Sequence, residues 1–426
     1  MSKVKKVLEK VPLYDSLVLP YHWSKAFVAA TTHGFPGRKL RVIGVTGTNG
    51  KTTTCFMIWK MLNEAGHKTG LMTTVAWGGV SGREKDLHEQ VEHMTTVSPK
   101  VLNQRIKEIK KAGAEFLVLE VTSHALAQYR TLGVPIEIAV MTNVTHEHLD
   151  YHKTFERYRD AKRKLFKKGG FGVINADDPS AEFFKKDIKK YATYGIENGE
   201  NLAKGVKMGI SKTKYSCGDI NVELKMPGIF NIYNSLATIC VGKRLGLTDE
   251  QIENGLAALA GVEGRTTSFN EGQNFDVMID YAHTPDAFEK LLPDIKKATK
   301  GRLIVMFGSA GGRRDPSKRE PQGEIAGKYA DIVVLTEEDD RDTPGMEILE
   351  QIAVGARKSG KEDGKNLFFE LNRPKAILMS LEMAKKGDTV LFLGKGHEKT
   401  IERAGGEEPY YEPDEIKKAL KKVVKK

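Results

Sequence analysis

The apolar positions of this chain fall in short unbroken runs and seldom alternate with polar ones. Leu40–Val45, Phe116–Val121, Glu137–Val144 and Gly172–Ala176 make one set. Phe275–Asp280, Leu303–Phe307, Asp331–Thr336, Leu367–Leu371 and Thr389–Leu393 make a second. Strands covered on both faces read this way, because neither face meets water. Helical patterns lie between most of these runs, as at Thr52–Ala65 and Ala376–Lys386. The alternation predicts an α/β fold with mostly parallel sheets. Residues 195–228 weaken into short polar pieces ending in Met226-Pro227-Gly228, with a helix predicted at Asn231–Arg244. The segment 261–265, GVEGR, reads as a linker. Three parts follow: a short N-terminal segment (1–39), a central domain (40–262), and a C-terminal Rossmann-like domain with a basic tail (263–426).

Composition narrows the class. Hydrophobic residues are 40% of the 426 and charged residues 29%, which suits packed domains and excludes wholesale disorder. No apolar run approaches the ~18–20 residues that span a bilayer. The basic start, MSKVKKVLEK, lacks the apolar stretch of a secretory signal. Cys55, Cys217 and Cys240 are too widely spaced for a disulfide framework or a CxxC metal knuckle, and they suit a reducing cytoplasm. The net charge is +11, but six positive charges sit in the last ten residues. The body is thus only mildly basic. Nucleic acid is not the expected partner; an anionic small molecule, or a weak membrane-surface contact through the tail, fits as well. The plainest reading of the tail is a solvated helix end.

The strongest local signal is LRVIGVTGTNGKTTT, a buried strand running into a Gly-rich loop and then a helix. Glycines let backbone N–H groups close around phosphates, and the helix start adds partial positive charge. The lysine reaches the outer phosphates, and a threonine hydroxyl can hold Mg²⁺. Strict Walker A spacing requires Gly at position 45, which is Val. Gly47-Thr48-Asn49-Gly50-Lys51-Thr52, followed by Thr53, is therefore a variant P-loop for ATP. Glu120 ends an apolar strand, where parallel sheets open their ligand crevice, and is a natural Mg²⁺ ligand.

THEHLDYH (145–152) gathers three histidines and two acids. Its spacing is one residue longer than the HxHxDH of zinc hydrolases, so a zinc hydrolase is one reading. A Mg²⁺–phosphate site is another, and a hydrogen-bonded polar loop a third. The segment YRDAKRKLF (158–166) reads as a solvated basic face, with nothing to single out Lys162. In the second half, IDYAHTPDA, FGSAGGRRDPSKRE, TEEDDR and LGKGHE each follow a strand, as expected of a crevice for anionic groups.

Taken together, GTNGKTT, EVTSHALAQYR, TNVTHEHLDYH, YRDAKRKLF, FNIYNSLA, GR (264–265), DYAHTPDA, GGRRDPSKR and GKGHE resemble the Mur ligase family in the family's own order. The likeness runs from about residue 40 to 400. The nearest branch is the one that adds the third amino acid to UDP-MurNAc-L-Ala-D-Glu. The resemblance implies an ATP-dependent ligase of peptidoglycan synthesis working through an acyl phosphate, cytoplasmic and monomeric. It implies that Lys51 and the loop hold phosphates, and that Thr52 and Glu120 hold one Mg²⁺ and His148 a second. Lys162 matches a lysine that family members carbamylate. Asn231 and Asn234 match the adenine side, and Arg265, Asp280 and His283 residues near the nucleotide. Thr95, Thr96, Ser123, Gln128 and Arg130 match contacts to the MurNAc-peptide.

Choice of the incoming diamino acid maps to Arg314, the loop Glu338-Asp339-Asp340-Arg341, Gly394 and Glu398. In the family, DNPR at this loop accompanies meso-diaminopimelate, whose distal carboxylate takes the Arg. Arg341 and Arg314 favour that substrate over L-lysine, while Asp339 and Asp340 add repulsion or could attract an ammonium. Only about forty residues precede the P-loop, too few for the family's N-terminal UDP-binding domain, which is expected to be largely absent. A UDP-free or lipid-linked muropeptide, or a folylpolyglutamate synthase-like acceptor, is the alternative substrate. A nucleotide-binding regulator without turnover is the non-enzymatic one.

Overall fold

The computed structural model describes residues 14–424 apart from 91–93, 210–211, 263, 265–266 and 313, with backbone alone at 14–17, 149 and 150. The chain divides into two compact units. Unit 1 holds the described residues of 1–205, 215–222 and 233–259; unit 2 holds those of 206–214, 223–232 and 260–426.

Unit 1 is built on a sheet of nine strands among the described residues. They are β1 (Arg41–Thr46), β2 (Thr69–Met72), β3 (Ala76–Gly78), β4 (Leu87–Glu89) and β5 (Phe116–Glu120), then β6 (Ile136–Met141), β7 (Gly169–Asn175), β8 (Tyr191–Gly195) and β9 (Asn201–Leu202). Their order is β4-β3-β2-β5-β1-β6-β7-β8-β9, parallel from β2 onward and antiparallel at the β3 and β4 edge. The strand that leads into the Gly-rich loop is therefore central, flanked on both sides by parallel neighbours. β5 and β1 are buried along nearly their whole length, which is why they read as unbroken apolar runs. The helix Tyr14–Thr32 buries Ala26, Ala29 and Ala30 and leaves Tyr21, Trp23 and Val28 exposed.

The weakened stretch 195–228 contains β10 (Lys204–Met208), β11 (Thr213–Cys217) and β12 (Ile220–Leu224), a small separate sheet in the order β10-β11-β12. β11 and β12 bury every second residue, Thr213, Tyr215 and Cys217, then Ile220, Val222 and Leu224. One wet face thins the apolar signal by half, and so it was read as polar pieces.

Unit 2 carries a six-stranded sheet among the described residues. Its strands are β13 (Thr267–Phe269), β14 (Asp276–Asp280), β15 (Leu303–Phe307), β16 (Ile332–Leu335), β17 (Leu367–Phe369) and β18 (Thr389–Leu393). The order is β13-β14-β18-β15-β16-β17, with β13 alone antiparallel. Leu303, Val305 and Phe307 enter one core, and Ile304 and Met306 the other. Both faces are dry, as the apolar runs require. A hairpin of β19 (Thr400–Arg403) and β20 (Gly406–Pro409) follows. The helix Glu412–Val424 then buries Ile416 and Leu420 and exposes Lys417, Lys418, Lys421 and Lys422. The basic end is a solvated helix face, as read.

Candidate active site

The loop 47–50 leaves the C-terminal end of β1 and starts the helix Lys51–Glu64. Gly50 caps that helix with φ of 81°, and a Cβ there would lie 2.3 Å from Asn234 Oδ1, so only glycine fits. The loop is held from the side by residues after β6. Thr48 N–H donates to Asn143 O (2.8 Å) and Asn49 N–H to Asn143 Oδ1 (2.9 Å). Thr142 Oγ1 donates to Asn49 O (2.6 Å), and Thr48 Oγ1 bonds Tyr158 Oη (3.0 Å). Lys51 Nζ donates to Thr48 O at 2.7 Å, which folds the cation over the loop.

Thr52 Oγ1 donates to Glu120 Oε2 at 3.0 Å. Thr74 grips the same carboxylate twice, through N–H (3.0 Å) and Oγ1 (3.1 Å). Thr96 Oγ1 donates to Glu120 O (3.0 Å), and Arg130 to Thr96 O (2.5 Å). Arg130 also holds Gln128 Oε1 through Nε (3.0 Å) and Nη2 (2.7 Å), and burial lowers its pKa. Ser123 Oγ bonds His152 Nε2 (3.0 Å). Thr54 Oγ1 donates to Asn234 Oδ1 (3.1 Å). The structure thus brings Gly47–Thr53, Glu120, Thr96, Ser123, Gln128, Arg130 and Asn234 to one side of unit 1.

Lys162 corrects the sequence reading. It lies on the helix Phe155–Phe166, whose buried residues are Tyr158, Ala161, Lys162, Leu165 and Phe166. Its side chain is 1% exposed, not solvated. Nζ donates to Gly47 O at 2.5 Å and sits 4.4 Å from the Tyr158 ring centre. Burial, then the Lys51 charge, pushes its pKa well below the ordinary lysine range, with Glu147 and Glu120 opposing.

The histidines of THEHLDYH divide: the rings of His148 and His152 lie 4.8 and 5.3 Å from that of His124, while His146 stands apart. His146 stacks on Phe155 (4.7 Å), His152 bonds Ser123, and His148 Nε2 lies 3.7 Å from Glu147 Oε2. Among the described residues, no three His, Cys, Asp or Glu side chains group as metal ligands. The described side chains give no zinc-hydrolase cluster, and that of Asp150, the acid of this spacing, lies outside them. Thr52 and Glu120 do offer adjoining hard oxygen donors beside a phosphate-type loop, which fits Mg²⁺.

Unit 2 carries the other predicted residues. Asp280 ends β14 and accepts from Ala282 N–H (2.8 Å). His283 Nδ1 bonds Tyr281 O (2.8 Å), and Lys318 Nζ donates to His283 O (3.2 Å). Asn231 Nδ2 donates to Pro227 O (2.7 Å). Arg314 is exposed and Arg265 lies outside the described residues; Thr95, which belongs to unit 1, is half-buried. At the ends of β16 and β18, Lys395 is 1% exposed and donates to Asp339 (2.8 Å) and Glu398 (2.6 Å). Tyr281 Oη adds a bond to Glu398 (3.0 Å). Gly394 has φ of 105°, and a Cβ would meet Glu338 Oε2 at 2.6 Å. Sequence reasoning missed Thr74, Asn143 and Lys395. Thr74 carries no motif, whereas Lys395 stands inside GKGHE, a segment read as part of an anion crevice without its lysine being singled out.

Asp340 has a buried Oδ1 with no hydrogen-bond partner. Burial first, then Glu337 and Glu338, raise its pKa to about 6. The raised value means the fold favours the protonated acid, and this contribution to stability is lost as pH rises from about 4 through 6. Asp340→Asn is therefore expected to raise the melting temperature by a few degrees at pH 8 and to change little at pH 4. Calorimetry at both pH values checks it; equal shifts would refute the electrostatic cause.

The Mur ligase middle domain family matches residues 45–242, and the Mur ligase glutamate ligase domain family matches residues 264–396. A UDP-N-acetylmuramyl-tripeptide synthetase of Deinococcus radiodurans is 40% identical over 403 residues, 93% of this chain and 81% of the relative. A UDP-N-acetylmuramoyl-L-alanyl-D-glutamate–2,6-diaminopimelate ligase of Clostridium acetobutylicum is 37% identical over 385 residues, 88% and 76% of the two chains. A solved structure of a ligase with that activity in its name aligns at TM-score 0.64 and 29% identity, covering 90% of this chain and 79% of the other. A Mycobacterium tuberculosis folylpolyglutamate synthase aligns at TM-score 0.69 and 15% identity, covering 92% and 95%. At that identity the likeness is one of fold.

Proposed function

Since this chain belongs to the Mur ligase family, we propose that it joins a diamino acid, meso-diaminopimelate, to UDP-MurNAc-L-Ala-D-Glu at the expense of ATP. The observation that carries this reading is the Thr52–Glu120 pair at the start of the P-loop helix, 3.0 Å apart. We take residues 40–262 as the nucleotide and acceptor part, and 263–426 as the amino-acid part. The enzyme would work as a monomer in the cytoplasm, where ATP is plentiful. No described helix is long and apolar enough to cross a membrane.

The chemistry needs an activated carboxylate, because a bare carboxylate repels nucleophiles. Transfer of the γ-phosphoryl group to the D-glutamyl carboxylate breaks the Pγ–O bond to ADP and forms an acyl phosphate. The amine of the diamino acid attacks the acyl carbon, loses a proton, and expels phosphate. Backbone N–H groups of 47–52 and the Lys51 ammonium would neutralise the phosphates while the groups are aligned. Mg²⁺, held by Thr52 and Glu120 and a second ion toward His148, would supply further positive charge. Thr95, Thr96, Ser123, Gln128 and Arg130 would hold the acceptor. Arg314, Asp339, Arg341, Gly394 and Glu398 would hold the diamino acid. Asn231, Asn234, Arg265, Asp280 and His283 would serve the nucleotide.

Lys162 fits a carbamate site. Burial, which holds its pKa well below the ordinary lysine range, favours the neutral amine, and that form would attack CO₂, form an N–C bond and lose a proton to become an anion. That anion would offset Lys51 and the metal charge.

Phosphate release from Mg-ATP tests the proposal. It should require both UDP-MurNAc-L-Ala-D-Glu and one diamino acid, meso-diaminopimelate above L-lysine. Release only with a UDP-free or lipid-linked muropeptide would move the acceptor, and no release with any of these would refute the ligase reading.

A further inference from the structure

Resting on that reading, we infer that Glu402, on the hairpin beside the amino-acid loop, is a specificity-determining residue that acts as an internal stand-in for the substrate's distal carboxylate. Arg341 is the one cation of the loop Glu338-Asp339-Asp340-Arg341, and its guanidinium is already engaged. Nε donates to Glu402 Oε2 at 2.6 Å, and Nη2 lies 3.5 Å from Asp339 Oδ2. The backbone fixes this pairing. Arg341 N–H donates to Glu402 O (3.0 Å), Glu402 N–H donates to Asp339 Oδ1 (3.0 Å), and Arg341 bridges Arg403 in parallel register. Arg403 in turn holds Glu337 through two hydrogen bonds of 2.7 and 2.8 Å, tying β19 to the start of the same loop.

Arg341 also has φ of 54°, a backbone conformation that side-chain-bearing residues seldom adopt. The loop is thus held so that Arg341 meets Glu402. The pair is not sealed, since side-chain exposures are 22% for Arg341 and 40% for Glu402. A guanidinium presents several donors in a planar fork, and one carboxylate can replace another on it. An incoming diamino acid with a distal carboxylate can displace Glu402 and regain an equivalent pair. L-lysine has no such carboxylate and leaves Glu402 seated. Glu402 therefore lowers the affinity for the carboxylate-bearing substrate and keeps Arg341 from other anions when that substrate is absent.

The test is steady-state phosphate release by the full chain and by Glu402→Gln, with meso-diaminopimelate and L-lysine in turn. Glutamine keeps the shape and removes the charge. The KM for meso-diaminopimelate should fall about fivefold with kcat nearly unchanged, the effect of removing one partly exposed ion-pair competitor. The KM for L-lysine should not fall. In Arg341→Gln/Glu402→Gln the gain should vanish. An unchanged or higher KM for meso-diaminopimelate in Glu402→Gln, with the unaltered chain active, overturns the inference. So does an equal fall for both amino acids. No turnover by the unaltered chain overturns the ligase reading, and this inference with it. A tighter KM cannot come from a misfolded variant.

Discussion

Replacing Lys51 with alanine should abolish ATP-dependent phosphate release, with a loss in kcat of at least a thousandfold, about 4 kcal/mol of transition-state stabilisation. The ammonium stands at the start of a helix and folds over the loop 47–50, where the proposed reaction would place the charge that moves with the γ-phosphoryl group. Among the described residues its side chain donates one hydrogen bond, to Thr48 O at 2.7 Å. The loop is otherwise held by Asn143, Thr142 and Tyr158. The variant should therefore fold and melt within about a degree or two of the parent, since one partly exposed hydrogen bond contributes only ~1 kcal/mol. Thermal unfolding beside the rate assay separates the cases. Retained activity above about a tenth of the parent would be incompatible with a phosphate-binding Lys51.

The second large effect is expected at Lys162. Lys162→Met, which keeps the stem and removes the amine, should lower kcat by about a hundredfold or more, since one preorganised charged group is commonly worth that much. The parent should lose rate when CO₂ is stripped from the buffer and regain it with bicarbonate, whereas Lys162→Met should ignore bicarbonate. A carbamate carbon should appear in the ¹³C spectrum of the parent given labelled bicarbonate. Indifference of the parent to CO₂, with no carbamate signal, would leave Lys162 as a loop support through Gly47 O and sink the carbamate proposal. Removing a buried amine also removes a desolvation cost, so the variant should not be much less stable.

What the sequence disclosed follows from what each residue touches. β1, β5, β15 and β18 were found almost to the residue, because strands dry on both faces print as unbroken apolar runs. β2, β3 and β4 were missed; TGLM, AWG and LHE are too short or too mixed to form a run. The P-loop was legible because its residues are contiguous. Lys162 was nearly so: Tyr158, Ala161, Lys162 and Leu165 share the i, i+3, i+4, i+7 face of one helix, and a lysine in that stripe is a buried lysine. Reading the four basic residues of 158–166 as one solvated face hid it. Thr74 and Glu402 were out of reach, since each acts on a residue brought close only by the fold, Glu120 for the first and Arg341 for the second.

Arg373 and Glu412 form an ion pair that is fully buried, with further bonds from Arg373 to Glu337 O (2.9 Å) and Leu393 O (2.7 Å). The helix Glu412–Val424 thereby supplies both a charge and the side chains Ile416 and Leu420 to unit 2. During synthesis, Arg373 emerges from the ribosome well before its partner. Until 412–424 is made, the nascent unit carries an unmatched cation beside the loop 337–341 and an uncovered apolar sheet face. A chain cut before residue 412 lacks Glu412, Ile416 and Leu420 together, and is expected to be a substrate for chaperones and proteases.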